Sequence, residues 1–182
     1  VNNAASIKAA RSKLNQLDVL INNAGVGGSF PQSALETGIQ EYRDVFETNY
    51  FGVVQVTQAF IDLLKQSVQP RIVNVTSGLG SLNMHINPAW KYYGVKPAVY
   101  VASKAALNAF TIVLSYELRD TAFKINSVDP GYTATDFNHH SGPGTIPDAA
   151  ARVVKAATLE ADGPTGQFFS DDNNEETGIS EW

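Results

Sequence analysis

Three short apolar runs, each ending in polar residues or glycine, constrain the fold of this chain most. They are Val19–Ile21, Arg71–Ser77 and Lys124–Val128. Val19–Ile21 does not alternate apolar with polar residues, which is typical of a strand buried on both faces of a parallel sheet. Helical patterns separate the runs, as the crossover connections of parallel strands require. The sequence therefore predicts an α/β fold with a doubly wound parallel sheet, whose ligands lie beyond the carboxyl ends of the strands.

Helical periodicity places the connecting elements. The sequence predicts helices over Ser6–Leu17, Glu41–Lys65, Pro97–Arg119 and Pro147–Leu159, and a last short strand at Gly166–Ser170. Asn49 interrupts the apolar stripe of the second helix. An amide at that position is either a hydrogen-bonded core residue or a functional one.

Composition excludes several classes of protein. The chain has 182 residues, enough for a single domain over 1–182, and its net charge of −5 disfavours a nucleic-acid or anionic membrane surface. It has no cysteine, so disulfides and thiolate catalysis are excluded. No apolar run approaches the roughly 20 residues of a membrane span, and Val1–Ser6 does not resemble a signal peptide. We expect a cytoplasmic protein. The adjacent residues His139 and His140 fit a solvated loop better than a metal site, and no metal is predicted.

Tyr100 and Lys104 lie four residues apart in a predicted helix, so both side chains fall on one face. A nearby ammonium favours the phenolate and lowers the pKa of a tyrosine from its usual value near 10. Such a pair can serve as a proton donor near neutral pH. By itself the spacing is common, and a half-buried tyrosine beside a lysine that reaches for solvent explains it equally well.

Two loops follow the predicted strands and are site candidates. Ser77 ends the second strand, where it could contact a ligand or bond to its own turn. The loop Gly25–Gly28 resembles a phosphate-binding turn but lacks the G-x-G-x-x-G spacing, so we interpret it as a close backbone approach to a flat ligand. The loop 134–145 is rich in glycine, proline and histidine, and we predict that it is a mobile substrate lid.

Together these pieces resemble the short-chain dehydrogenase/reductase family over nearly the whole chain. Five motifs occur in the family's order, each at the expected element. They are Asn22-Asn-Ala-Gly25 after a strand, Asn49 in the next helix, Ser77 after the next strand, Tyr100-x-x-x-Lys104 in the following helix and Pro130-Gly131 after the strand beyond. Each motif is weak alone, but the ordered set is specific.

The resemblance implies a role for each of these residues. Tyr100 would protonate the carbonyl oxygen, Lys104 would lower the pKa of Tyr100 and hold the nicotinamide ribose, and Ser77 would stabilise the developing charge. Asn49 would anchor a water molecule that links Lys104 to solvent. The implied cofactor-binding residues are Asn22, Ala24, Gly25, Tyr100, Lys104, Pro130, Gly131, Thr133 and Thr135.

Two features resemble the monomeric carbonyl-reductase-like branch of the family. The chain ends with Gly166-Gln-Phe-Phe-Ser170 and a terminal Trp182, and Tyr100 follows Ser77 by 23 residues. That branch usually uses NADPH to reduce aldehydes, ketones and quinones. We therefore expect NADP as cofactor, although NAD is not excluded because the segment that selects between them is absent. The expected partner is a small-molecule carbonyl compound, with no nucleic acid and no membrane.

The family's opening strand and its T-G-x-x-x-G-x-G turn are absent, so we expect a Rossmann-like fold reduced to about four strands, the carboxyl-terminal part of the family's fold. Two hypotheses follow. The protein is a carbonyl reductase, or it is a non-catalytic remnant with a binding or structural role that cannot hold the dinucleotide. A full-length protein should be monomeric, whereas this polypeptide alone should bind no dinucleotide and self-associate through the bare edge strand at residues 18–22.

Overall fold

A computed structural model describes all residues from Val1 to Trp182. Its centre is a parallel four-stranded sheet of order β1-β2-β3-β4. The strands are β1 (Val19–Asn22), β2 (Arg71–Val75), β3 (Lys124–Val128) and β4 (Phe168–Phe169). The predicted α/β fold with about four parallel strands is confirmed. The carboxyl ends of β1, β2 and β3 meet at one edge, where parallel folds place their ligands.

Helices cover both faces of this sheet. They are α1 (Ala4–Arg11), α2 (Ile39–Phe46), α3 (Val53–Leu64), α4 (Leu82–His85), α5 (Ala98–Glu117) and α6 (Ile146–Ala157). On one face, α3 and α5 pack over a core that includes Ile72 and Ile125. On the other face, Ala156 of α6 packs against Val73 and Val128. The neighbouring residues Ile72 and Val73 of β2 thus point into different cores, which explains why both are apolar.

Two predicted helices differ from the observed ones. The first ends at Arg11 rather than at Leu17, because the chain turns there and lets Leu17 pack beside α3 just before β1. Leu14 supplied the misleading periodicity, and it is 39% exposed. The helix predicted over Glu41–Lys65 is divided into α2 and α3 by a π-helical turn.

The π-helical turn spans Glu47–Gly52 and contains Asn49. Turns of this type insert an extra residue into a helix and often occur at functional sites. The extra residue changes the phase of the side chains that follow it. Here the turn lets Asn49 point toward the sheet while Val45 and Val53 on either side remain buried.

Helix α5 is the only helix with the length and apolar composition of a membrane span, contrary to the expectation that no stretch would qualify. Within the qualifying window, 44% of the residues are buried inside the protein. Its inner face packs on β2 and β3. This burial explains the apolar composition of α5, because the core helix of a folded protein has the same character.

The carboxyl-terminal tail closes the sheet at β4. Phe169 forms an antiparallel bridge with Ile179, and the Ser180 backbone N–H donates to the Phe168 carbonyl at 2.8 Å. The Trp182 ring stacks on Phe168 with 5.5 Å between ring centroids. The tail therefore covers a strand edge that would otherwise expose its backbone groups.

Candidate active site

Asn49 joins three elements at the carboxyl edge of the sheet. It is fully buried, its Oδ1 accepts the Val26 backbone N–H at 2.8 Å, and its Nδ2 donates to the Val26 carbonyl at 2.9 Å. The same Nδ2 lies 3.0 Å from the Ser103 hydroxyl oxygen on α5. The amide therefore ties the loop after β1 to α5. Asn49 is thus a hydrogen-bonded core residue, and its functional role stays a prediction.

Lys104 is buried between α5 and the end of β2. Its ammonium donates to the Val75 carbonyl at 2.9 Å. A side chain added at Gly25 would begin 3.4 Å from Lys104 Nζ and from Asn49 Oδ1, so the loop after β1 passes close above both. Burial lowers the pKa of Lys104 to about 8, although Asp129 acts in the opposite direction.

Tyr100 lies one turn before Lys104, as its position in the sequence predicts. The Lys104 ammonium lies 5.8 Å from the centre of the Tyr100 ring, and the nearby Ser77 hydroxyl lowers the pKa of the phenol. Burial nevertheless raises the pKa of Tyr100, and the negative charge of Asp129 raises it further. The direction is opposite to the predicted lowering, because the loss of hydration of a buried phenolate outweighs the other effects. The phenol therefore keeps its proton near neutral pH.

Ser77 serves its own turn and also contacts the site. Its hydroxyl oxygen accepts the Leu79 backbone N–H at 3.2 Å, which caps the short turn Gly78–Gly80. The side chain is half-buried and lies beside the Tyr100 phenol. The two interpretations of Ser77 are therefore compatible.

The turn after β3 brings four predicted cofactor-binding residues to the same edge. Gly131 has a φ of 83° there, a conformation that favours glycine, and Pro130 precedes it half-buried. Thr133 is buried, and its hydroxyl lies 3.2 Å from the Gly131 carbonyl. Thr135 caps the turn Asp136–Asn138. Both threonine side chains thus stabilise the loop, and their predicted contacts with a cofactor stay predictions.

Phe137 extends from that loop over Tyr100. The Phe137 and Tyr100 rings lie 5.8 Å apart between centroids, and a side chain added at Gly27 would begin 3.3 Å from the Phe137 ring. The ring thus spans the gap between α5 and the loop after β1. A bond from the Ala134 N–H to the Gly144 carbonyl, 3.1 Å long, closes the predicted lid at its base.

Asn22 lies at the end of β1 in a buried polar row. Its Nδ2 donates to Asn74 Oδ1 at 2.8 Å and to the Thr57 hydroxyl at 3.1 Å. Asn74 in turn donates to Thr111, which also bonds to Ser127. This row ties three strands to α3 and α5. The amide nitrogen of Asn22 is therefore occupied inside the fold.

The next predicted cofactor-binding residues follow Asn22 into the loop after β1. Ala24 is exposed and Gly25 is half-buried. They line the open side of the site, opposite Lys104.

Two residues at the site were missed by sequence reasoning. Gln32 accepts the backbone N–H groups of Val99 and Tyr100 at 2.9 and 3.0 Å, and its Nε2 donates to the Gly27 carbonyl at 2.7 Å. It caps the amino terminus of α5 from a distant loop. Asp129 is a buried carboxylate directly after β3. A charge at the end of a buried strand was the available signal for Asp129, but no pattern marks Gln32.

The chain resembles known proteins in sequence and in structure. The profile of the short chain dehydrogenase family matches residues 2–145. The chain is 36% identical to the short-chain dehydrogenase anuI of Penicillium roqueforti over 85% of its own length, and covers 62% of that relative. It is 32% identical to a (-)-isopiperitenone reductase of Mentha piperita, with 94% of this chain and 77% of the relative covered.

Among solved structures, an NADPH-bound carbonyl reductase from chicken fatty liver superposes on the whole chain with a TM-score of 0.82. The sequence identity is 25%, and 74% of that structure is covered. The chain belongs to the short-chain dehydrogenase/reductase family.

Proposed function

We propose that the protein reduces the carbonyl group of a small aldehyde, ketone or quinone to an alcohol. The observation that carries this proposal is the convergence of Ser77, Tyr100 and Lys104 at the carboxyl edge of the sheet. The named relatives and structural neighbours include reductases, which supports this class of reaction. A cytoplasmic location and a small-molecule substrate belong to the same proposal.

Tyr100 acts as the general acid in this proposal. Its raised pKa keeps the proton on the phenol, so the donor form is present at neutral pH. As the carbonyl carbon is reduced, the phenol gives its proton to the carbonyl oxygen. The Ser77 hydroxyl donates to the same oxygen and stabilises the charge that develops there. Lys104 then stabilises the phenolate that remains, since its ammonium is held nearby by the Val75 carbonyl.

A reduced nicotinamide dinucleotide, when bound, supplies the hydride for such a reaction. The residues present fit its nicotinamide end, because Gly25 leaves open the space that a side chain would fill beside Lys104 and Asn49. Ala24, Gly25, Lys104, Pro130 and Gly131 would hold it. We propose NADP as the preferred form and NAD as the alternative, supported by the NADPH-bound carbonyl reductase of similar fold.

The test is a titration of the full-length protein with NADPH and NADH, followed by turnover of a carbonyl panel. Binding is measured by the fluorescence of the reduced nicotinamide. We expect tighter binding of NADPH and turnover of at least one ketone, aldehyde or quinone. Binding without any turnover would reject the reductase assignment. Absence of binding would favour the alternative that the protein is a non-catalytic member of the family.

A further inference from the structure

Asp129 is a buried charge for which the proposed reaction has no role. It directly follows β3 and is 5% exposed. Its Oδ1 accepts the Gly131 N–H at 3.0 Å and its Oδ2 accepts the Ser170 hydroxyl at 2.7 Å, while the Gly78 backbone lies beside it. An ionised carboxylate accepts such a pair of donors. Burial raises the pKa of Asp129, and these hydrogen bonds act against that rise.

The Asp129 carboxylate lies on one side of Gly78 and the Asn173 side chain lies on the other, and we call this pair the Gly78 bracket. A side chain added at Gly78 would begin 2.8 Å from Asp129 Oδ2 and 2.9 Å from Asn173 Oδ1. Asn173 approaches from the tail, where its Nδ2 donates to the Gly78 carbonyl at 3.1 Å. Asn173 therefore fixes the Gly78 carbonyl, and Asp129 limits the space beside the Gly78 Cα. Ser77 precedes Gly78 directly, so the bracket restricts where the Ser77 hydroxyl can lie.

The same carboxylate links the turns that follow three strands. Gly78 follows β2, Gly131 follows β3 and Ser170 follows β4. One side chain thus fixes the Ser77 turn relative to the Pro130–Gly131 turn, which is expected to hold the cofactor. Misplacement of reacting groups by about 1 Å can lower a rate 10²-fold.

The negative charge of Asp129 acts on two titratable residues of α5. Tyr100 and Lys104 face it from α5, and its negative charge raises the pKa of both. On the other sides lie Tyr92, Asp172 and Arg152.

The nearby arginine does not neutralise Asp129 directly. Arg152 Nε pairs with Asp171 at 3.1 Å, and its Nη2 lies 3.5 Å from Asp172. Tyr92 also donates to Asp172, at 3.3 Å. The tail carboxylates thus engage the surrounding donors, and the hydrogen bonds of Asp129 come from one backbone N–H group and a hydroxyl.

We propose that Asp129 is a positioning residue of the reductase site, which holds the Ser77 turn against the Pro130–Gly131 turn and presents its negative charge to Lys104 on α5. This inference rests on the proposed function. Asn173 supports Asp129 from the opposite side of Gly78 but carries no charge.

The test compares Asp129→Asn with two controls in the full-length protein. Ser170→Ala removes one hydrogen bond of Asp129 but keeps its charge, and Asp120→Asn removes an exposed charge at the far end of α5. The pH midpoint of Lys104 is followed by NMR of its labelled side chain, assigned with Lys104→Arg. Turnover and KM are measured at equal folded fractions.

We expect a lower Lys104 midpoint in Asp129→Asn only, because the variant loses the charge that favours the ammonium. Turnover of this variant should fall on the order of tenfold to 10²-fold, with a smaller change in KM. An unchanged Lys104 midpoint in Asp129→Asn would overturn the proposal. Turnover equal to that of Asp120→Asn would overturn it as well.

Failure of this inference can be distinguished from failure of the proposed function. If the proposed function fails, the parent protein reduces no carbonyl, but the Lys104 pH midpoints still show whether the charge of Asp129 acts on Lys104. If Asp129→Asn does not fold, Asn173→Ala replaces it in the kinetic measurement. That variant removes the other half of the bracket and leaves the charge in place. Lowered turnover with an unchanged Lys104 midpoint would support the bracket, and unchanged turnover would refute it.

Discussion

The two edge strands of the sheet differ in what covers their outer sides. At β4, the tail supplies an antiparallel bridge at Ile179 and a stacked ring at Trp182. At β1, the outer side of the strand has no neighbour, and Ile21 is 40% exposed. The residues expected to perform chemistry lie in the π-helical turn, directly after β2 and on α5, within the enclosed part. The residues expected to contact the cofactor begin on the open edge.

This difference indicates that the residues expected to perform chemistry and those expected to bind the cofactor are held in place by separate sets of contacts. Ser77, Lys104 and Asp129 are held by bonds to neighbouring strands and to the tail. The loop after β1 is attached to α5 chiefly through two amide side chains, Asn49 and Gln32. Substitutions on one side should therefore leave the other largely intact, and this separation can be tested.

The largest expected effect is the loss of chemistry in Tyr100→Phe. General acid catalysis is worth typically 10²–10⁴-fold, and turnover of the full-length protein should fall by that factor. The ring still packs beneath Phe137, so the melting temperature and NADPH affinity should change little. Tyr93→Phe, at an exposed ring before α5, is the matched control. Turnover within about tenfold of the parent would contradict the role of Tyr100.

A smaller effect is expected from Gln32→Leu, which cuts one connection between the two sides. The variant leaves the buried N–H groups of Val99 and Tyr100 without their acceptor, which costs about 1–3 kcal/mol of unfolding free energy. Because Tyr100 can then shift, turnover should fall about tenfold. Denaturant titration and steady-state kinetics measure the two effects. Gln58→Leu on the exposed face of α3 is the control, and equal stability of both variants would show that Gln32 is dispensable.

A third test uses pH instead of a substitution. Lys104 has a depressed pKa of about 8, so its ammonium is present below that pH and lost as the pH rises through it. The phenolate formed at Tyr100 then loses its stabilising charge. Turnover at saturating dinucleotide should therefore decline severalfold on the alkaline side of about pH 8. A rate that stays level well above this pH would show that catalysis does not need the charge of Lys104.

Sequence patterns predicted the elements whose signals are local. The β-branched residues Ile72 and Val73 marked β2, and the four-residue spacing of Tyr100 and Lys104 placed both on one helical face. The order of the motifs then identified the family. These signals depend on residues that are close in sequence, where strand and helix periods hold.

Other features of the site depend on contacts that no local pattern encodes. Gln32 lies in an irregular segment and bonds to Tyr100, 68 positions later. The π-helical turn at Asn49 breaks the helical period on which the sequence prediction relied. The pKa of Tyr100 was predicted in the wrong direction because it is governed by burial, which follows from the packing of the whole site.

The smallest expected effect concerns the open edge. A strand with one bare side is a template for pairing with a second chain, and charged residues there oppose such pairing. The 182-residue chain expressed alone should therefore self-associate, and Ile21→Lys should shift it toward the monomer. Ile39→Lys adds the same charge at an exposed position of α2 and should not. Size-exclusion chromatography with light scattering decides the question, and a concentration-independent monomer in the parent would show that the bare side of β1 is not adhesive.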